Sequence, residues 1–237
     1  AAIDIGTNSV HMIIVEARGD HYAIIDRERN MIKLGAGTFR AKRLSDEALA
    51  AGIDTLTKFR RLADSHDTNE ILAVATSAVR EAANGREFLE TVRAATGIHA
   101  RLITGDEEAR LLHLAVRDVI DLSDRNALTF DIGGGSVEAI VGGDRGLLLA
   151  ESMGLGVLRL RDMLGTADPL PRDGRKKLQQ IVRDVAGPIL ERARGVGFDR
   201  VVGTSGTILD LGLAVHRSRS KDRWLSPDGR LVQGEDL

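Results

Sequence analysis

The sequence contains two copies of one short pattern, 127 residues apart. Each copy is an apolar strand that ends in Asp-Ile-Gly, a turn of small residues with a Ser, and a second apolar strand. The identities at this single offset are Asp4/Asp131, Ile5/Ile132, Gly6/Gly133, Ser9/Ser136, Val10/Val137 and Ile13/Ile140. This spacing far exceeds the period of solenoid repeats, so it predicts that a whole domain is duplicated.

The turn of the second copy is Gly133, Gly134 and Gly135 followed by Ser136. Without Cβ atoms a ligand can touch the main chain, and successive N–H groups can bind an anion, of which phosphate is the usual example. Apolar alternation resumes directly after the turn, so it is predicted to join two strands, whereas a Walker A loop leads into a helix through Gly-Lys-Ser/Thr. A plain hairpin turn explains this loop taken alone. The pair of loops instead predicts two phosphate-binding walls of a cleft.

Composition removes several classes of function. The 237 residues include no cysteine, which excludes disulfides, cysteine-ligated zinc and a thiol nucleophile. The net charge of −2 gives no basic field to attract nucleic acid. The sequence has no apolar run near the ~20 residues that span a bilayer, and it does not open with a signal peptide. We therefore expect a cytoplasmic protein without a nucleic-acid or membrane partner.

Residues Ile3 to Leu34 are predicted to form three antiparallel strands, whereas strand and helix patterns alternate from Ile71 to Val119, which predicts an α/β fold with parallel pairing there. Ser45 is a predicted N-cap, and Thr76 and Ser77 are expected to cap a helix that begins near Ala78. The second copy of the repeat starts just after Ser123-Asp124-Arg125. The predicted domains are therefore 1–124 and 125–237, the second expected to be incomplete at its C-terminus.

Several acidic residues are placed where phosphate chemistry would use them. Thr104 to Glu107 fits a capping box, and Glu108 projects about 100° further around the same helix. A carboxylate there could deprotonate water, although complementing the helix dipole explains Glu108 at least as well. Asp131 ends a strand beside the glycine turn, either as an Mg²⁺ ligand or in an Asx-turn, with Glu138 as a second oxygen ligand. Side chains alternate between the two faces along a strand, so the odd separation of Asp131 and Glu138 places them on opposite faces unless the loop between them changes this alternation.

Five motifs together resemble one family. They are Asp4-Ile-Gly-Thr-Asn-Ser9, Ala75-Thr-Ser-Ala-Val-Arg-Glu-Ala82, Ile103-Thr-Gly-Asp-Glu-Glu-Ala-Arg110, Asp131-Ile-Gly-Gly-Gly-Ser-Val-Glu138 and Gly203-Thr-Ser-Gly-Thr207. In this order they are similar to the motifs of the exopolyphosphatase and guanosine pentaphosphate phosphohydrolase (Ppx/GppA) family. That family belongs to the superfamily of sugar kinases, heat-shock chaperone ATPases and actin.

The resemblance implies two duplicated ribonuclease-H-like (actin-like ATPase) domains, with mixed sheets flanked by helices and an interdomain cleft. It implies that Glu108 is the catalytic base, that Asp131 and Glu138 hold Mg²⁺ or another divalent cation, and that Arg80 contacts phosphate. Asp131 and Arg80 are thus counted with Glu108 as catalytic. The predicted phosphate-binding residues are Gly6, Thr7, Asn8, Ser9, Gly133, Gly134, Gly135, Ser136, Ser205, Gly206 and Thr207. The role of Asp4 stays open.

The predicted function is an exopolyphosphatase that releases orthophosphate from the end of inorganic polyphosphate. The close alternative removes the 5′-phosphate of guanosine pentaphosphate (pppGpp) at the same site. A kinase is a more distant alternative, since it needs an adenosine pocket and would leave the Glu-Glu-Ala-Arg motif without a clear role. A sensor that binds polyphosphate or alarmone without hydrolysis is the third. A homodimer is an expectation for the full-length protein.

Overall fold

The computed structural model describes residues 1–19, 21–165 and 167–219 of the chain. The strands are β1 (Ala2–Ile5), β2 (Val10–Arg18), β3 (His21–Asn30), β4 (Leu72–Ala75), β5 (Ala100–Leu102), β6 (Asn126–Ile132), β7 (Val137–Gly143), β8 (Gly146–Met153) and β9 (Arg200–Thr204). The helices are α1 (Thr38–Ala41), α2 (Asp46–Ser65), α3 (Ser77–Glu81), α4 (Gly85–Thr96), α5 (Gly105–Val119), α6 (Val157–Leu164), α7 (Arg172–Val196) and α8 (Ser205–Arg219). Among these described helices, none is long and apolar enough to cross a membrane.

Two mixed sheets repeat one strand order. The first sheet runs β3-β2-β1-β4-β5 and the second β8-β7-β6-β9. In the first, β1 is antiparallel to β2 and parallel to β4; in the second, β6 is antiparallel to β7 and parallel to β9. The second sheet therefore copies the first four strands of the first sheet. This confirms the predicted duplication and the mixed α/β class.

The described residues form two compact units, which comprise Ala1–Gly105 with Val157–Gly174, and Asp106–Gly156 with the described residues from Arg175 onward. In the first unit, apolar residues of β1 and β2 pack against α2 and α4, with Ile5, Leu56 and Phe88 almost fully buried. In the second unit, a smaller core joins β6, β7 and β8 to α7 through Leu128, Val141 and their neighbours.

The contacts divide the chain differently from the predicted boundary after residue 124. Helix α5 belongs to the second unit, where His113 is buried against Gly142 of β7. Helix α6 follows β8 in sequence but belongs to the first unit. There the Arg159 guanidinium lies 4.0 Å from the centre of the Phe39 ring and pairs with Glu81. The unit to which α5 and α6 belong is thus decided by their packing and not by their position in the sequence relative to the repeat.

The predicted helix caps have different outcomes. Ser45 caps α2 as predicted, because its hydroxyl accepts from the N–H of Ala48 at 3.2 Å. The helix predicted near Ala78 is present as α3, which begins at Ser77 with Thr76 as its N-cap residue, but the Thr76 side chain makes no hydrogen bond to the helix. The Ser77 hydroxyl instead pairs with Thr7 at 2.8 Å, so a tertiary contact replaces the local cap.

We predict opposite stability effects for one substitution at two helical glycines. A Cβ on Gly52 of α2 would lie 2.8 Å from the Phe88 ring, so Gly52→Ala should destabilise the protein by about 1–3 kcal/mol. Gly195 of α7 has no neighbour within 4 Å of the added Cβ, so Gly195→Ala should stabilise by about 0.5–1 kcal/mol. Thermal unfolding of both variants tests this. Equal shifts would contradict the packing of α2 on α4.

Candidate active site

The two Asp-Ile-Gly loops have the same main-chain closure. The N–H of Gly6 donates to Ser9 O at 3.1 Å, and the N–H of Gly133 donates to Ser136 O at 3.0 Å. A Cβ would lie 2.8 Å from Ser9 O in the first loop and 3.2 Å from Ser136 O in the second. Neither glycine has a left-handed φ, so close approach of the main chain is what requires glycine here. The N–H groups of Gly6 and Gly133 are therefore both occupied by hydrogen bonds within their own loops.

The hydroxyl groups of the first loop point into the protein. Thr7 is buried, and its Oγ1 lies 2.8 Å from the Oγ of Ser77 at the start of α3. Ser9 is also buried, and its Oγ lies 2.8 Å from Nε2 of His11. The hydroxyl of Thr7 therefore ties the loop to the helix that carries Arg80. The Arg80 guanidinium is itself fixed, because its Nη1 donates to Ile103 O at 2.8 Å.

The glycine loop of the second unit is held by close neighbours. A Cβ on Gly156 would lie 2.3 Å from the carbonyl carbon of Gly135, which shows main chain packed against main chain. On another side, Ser205 at the start of α8 donates its hydroxyl to Ile132 O at 2.8 Å. Ser205 has a φ of 74°, a left-handed conformation that costs a non-glycine residue about 1–2 kcal/mol. Predicted residues Ser205 to Thr207 thus begin a helix that is tied to the end of β6.

Asp131 and Glu138 face each other across the β6–β7 pair. The register places them directly opposite, and directly opposed residues of antiparallel strands project from the same face with Cβ atoms about 5 Å apart. The loop between the two strands therefore brings both side chains to the same face of the sheet, despite their odd separation in sequence. The structure brings these two predicted metal ligands together.

Glu138 is a buried carboxyl group in an unfavourable environment. Its residue is 2% exposed, and Ser152 of β8 donates to its Oε1 at 2.8 Å. Burial, followed by repulsion from Glu108, raises its pKa to about 7; Asp131 adds to the shift, and hydrogen bonds from Ser136 and Ser152 oppose it. At neutral pH such a carboxyl holds a proton for a large part of the time. A cation beside it would favour the charged form.

The pKa of Asp131 is also raised, mainly by burial, while the hydroxyl groups of Ser205 and Thr204 offset part of the shift. Glu108 lies half-buried in the first turn of α5, close enough to Glu138 to affect its charge. Strands β6 and β7 and helix α5 thus bring three acidic side chains together beside the glycine loop. Such mutual destabilisation of charge is typical of functional sites.

The acidic residues fit a magnesium ion that is only partly held by protein. Among the described residues, no group of three or more His, Asp or Glu side chains is arranged to hold a metal ion. Mg²⁺ commonly takes one or two carboxylates and completes its shell with water and substrate phosphates. Asp131 and Glu138, on one face and destabilised as anions, match that donor set.

Comparison with solved structures supports the resemblance to the Ppx/GppA family. The structure superposes with a TM-score of 0.89 on an exopolyphosphatase from Cytophaga hutchinsonii, at 29% identity over 94% of this chain and 72% of that one. A Ppx/GppA enzyme of Aquifex aeolicus matches with a TM-score of 0.72, at 27% identity over 91% of this chain and 70% of that one. The fold is therefore that of solved Ppx/GppA proteins.

Sequence comparison then establishes the family. Residues 13–217 match the model of the Ppx/GppA phosphatase family. Exopolyphosphatase 1 of Mycobacterium tuberculosis is 34% identical over 217 residues, which are 88% of this chain and 61% of that protein. The chain belongs to the Ppx/GppA phosphatase family, as the sequence motifs predicted. It spans about three fifths of the length of the curated relatives it matches.

Sequence reasoning did not single out two residues that support the site. Ser152 holds Glu138, and Ser77 holds Thr7. The partner of Glu138 depends on the β7–β8 register, in which Glu138 opposes Ser152, and this register includes a shift near Gly142. No local pattern indicates such a shift. The Ser77 contact spans 70 residues and likewise has no local signal.

We predict that Glu138→Gln stabilises the metal-free protein at high pH. Burial and repulsion raise the pKa of Glu138 from 4.5 to about 7, so the folded state binds more protons than the unfolded state between these values, and stability falls as pH rises through them. Glutamine does not titrate, so the variant does not lose stability in this way as pH rises. In EDTA its free energy of unfolding should exceed that of wild type by about 1–3 kcal/mol at pH 8 and match it near pH 4.5.

Denaturant unfolding at both pH values provides the measurement, with Glu90→Gln at an exposed position of α4 as the control. The control should change stability by less than about 0.5 kcal/mol at either pH. A Glu138→Gln variant that is less stable than wild type at pH 8 would show that the charged carboxylate is well accommodated.

Proposed function

We propose that the protein is an exopolyphosphatase that hydrolyses the terminal phosphoanhydride bond of inorganic polyphosphate and releases orthophosphate. The observation that carries the proposal is the meeting of Glu108, Asp131 and Glu138 beside the Gly133–Ser136 loop. Phosphoanhydride hydrolysis needs a base for water, ligands for a divalent cation and main-chain donors for phosphate. The second unit contains residues suited to all three roles. The matched relatives named as exopolyphosphatases support the same substrate.

The loops and the helix N-terminus are the proposed phosphate contacts. Asn8 lies in the first loop, and Gly134 and Gly135 in the second; both loops have the main-chain closure described above. Ser205, Gly206 and Thr207 open α8, a helix of 15 residues whose N-terminal N–H groups favour an anion. Arg80 is the proposed guanidinium contact to phosphate oxygens, and its anchoring on Ile103 O limits how far it can move.

Glu108 is the proposed general base. Its carboxylate accepts a proton from the attacking water as the water oxygen bonds to the terminal phosphorus. The bond from that phosphorus to the bridging oxygen breaks, and the shortened polyphosphate leaves with the electron pair. Glu138 and Asp131 are proposed to hold Mg²⁺ or another divalent cation, which supplies positive charge to the phosphate oxygens. Ser152 keeps the Glu138 carboxylate in place.

Removal of the 5′-phosphate from guanosine pentaphosphate is the alternative that the same residues would support. The names of the matched relatives favour polyphosphate. Orthophosphate release from the two substrates, measured in parallel with and without Mg²⁺, decides between them. Release from neither substrate, with binding intact, would leave the non-hydrolytic sensor.

We predict that Glu108→Gln lowers the rate of orthophosphate release by about 10²–10⁴-fold while binding is retained, because the amide cannot accept the proton from water. The matched control is Glu107→Gln, one residue away in the same helical turn. It removes the same charge from the same helix end, and its rate should stay within about threefold of wild type.

Initial rates of both variants on polyphosphate with saturating Mg²⁺ provide the comparison. Equal losses in the two variants would indicate a general effect of negative charge at the start of α5. In that case Glu108 would not be the base.

A further inference from the structure

A lysine lies beside the first loop and is not among the predicted site residues. The segment that follows β3 runs back along the loop: the N–H of Lys33 donates to Asn8 O, and the N–H of Gly35 donates to Thr7 O, both at 2.8 Å. Leu34 between them is fully buried. Two hydrogen bonds and a buried anchor thus fix Lys33 against the middle of the loop.

Lys33 is held in an unusual conformation for its residue type. Its φ is 51°, in the left-handed region, and its carbonyl accepts from the N–H of Ala36 at 2.8 Å in a tight turn. Glycine or asparagine would adopt this conformation at lower cost. The side chain is exposed and carries a positive charge. The two hydrogen bonds that hold this segment to the loop are made by main-chain groups and do not involve the ammonium group.

The two hydroxyl groups of the first loop are already hydrogen-bonded within the protein. Thr7 and Ser9 are buried and paired with Ser77 and His11. A Cβ on Gly35 would lie 2.2 Å from the Thr7 side chain, so the Lys33 segment cannot retreat from the loop without breaking this packing. Of the residues that lie directly against the loop, Lys33 carries a positive charge on an exposed side chain.

We propose that Lys33 is a further substrate-binding residue, whose ammonium group binds phosphate oxygens of a polyphosphate at the Gly6–Ser9 loop. The inference rests on the proposed function and extends it to a residue outside the predicted set. An ammonium group on a flexible stem can follow successive phosphates without fixed geometry, which suits a repeating polyanion.

Lys33→Asn tests this, because asparagine tolerates the left-handed conformation and lacks the charge. Lys42 is a matched control: it is exposed, has a φ of 55°, and ends α1 away from the two loop hydrogen bonds. Both variants lose one positive charge and relieve the same kind of backbone strain. The melting temperature of each variant should therefore equal or exceed that of wild type.

The readouts are the Kd of tripolyphosphate by calorimetry in EDTA, and kcat and KM for orthophosphate release from tripolyphosphate with Mg²⁺. We expect Lys33→Asn to raise Kd and KM about tenfold, as for the loss of one charged hydrogen bond, with kcat changed less than about threefold. Lys42→Asn should change Kd and KM less than about threefold. Lys33→Arg, which restores the charge, should recover most of the affinity.

The outcomes separate this inference from the proposed function. If wild type releases phosphate but Lys33→Asn and Lys42→Asn give the same Kd and KM, the role of Lys33 is wrong while the hydrolase stands. If affinity falls only with a lowered melting temperature, Lys33 is structural and the inference is also overturned. If wild type neither binds nor hydrolyses any polyphosphate, the proposed function itself fails.

Discussion

The opposition of Asp131 and Glu138 across the β6–β7 pair is the constraint on which the site depends. Burial raises the pKa of both carboxyl groups, and repulsion from Glu108 of α5 raises the pKa of Glu138 further. The protein tolerates this because hydroxyl groups of Ser136 and Ser152 bond to Glu138. The arrangement costs stability at neutral pH, and a cation together with phosphate is the chemistry that it favours.

Duplication supplied two similar loops, and their differences divide the chemistry between them. Both loops close through the same hydrogen bond, from Gly6 to Ser9 and from Gly133 to Ser136. The position opposite the loop aspartate is His11 in the first sheet and Glu138 in the second. Only the second hairpin therefore opposes two carboxyl groups. This supports placing the proposed metal ligands in the second unit and assigning the first loop, with Lys33, to phosphate alone.

The sequence was sufficient to predict what depends on local pattern: the duplicated hairpins, the α/β class, the family and the Ser45 cap. What it could not supply depends on tertiary packing. Helix α6 follows β8 in the chain yet packs in the first unit, and Ser77 meets Thr7 across 70 residues instead of capping α3. Within the second unit, Glu108, Asp131 and Glu138 lie close together. The roles of the named residues as base, metal ligands and phosphate contacts stay proposals.

The central claim is that water attacks the terminal phosphorus of polyphosphate, and isotope labelling tests it most directly. The reaction would be run with polyphosphate and Mg²⁺ in ¹⁸O-labelled water, in parallel without and with an acceptor nucleotide, and the released orthophosphate analysed by mass spectrometry. The account predicts one labelled oxygen in each orthophosphate released, and no release in EDTA. Phosphate transfer that requires an acceptor nucleotide, with no label in orthophosphate, would contradict hydrolysis and indicate a kinase.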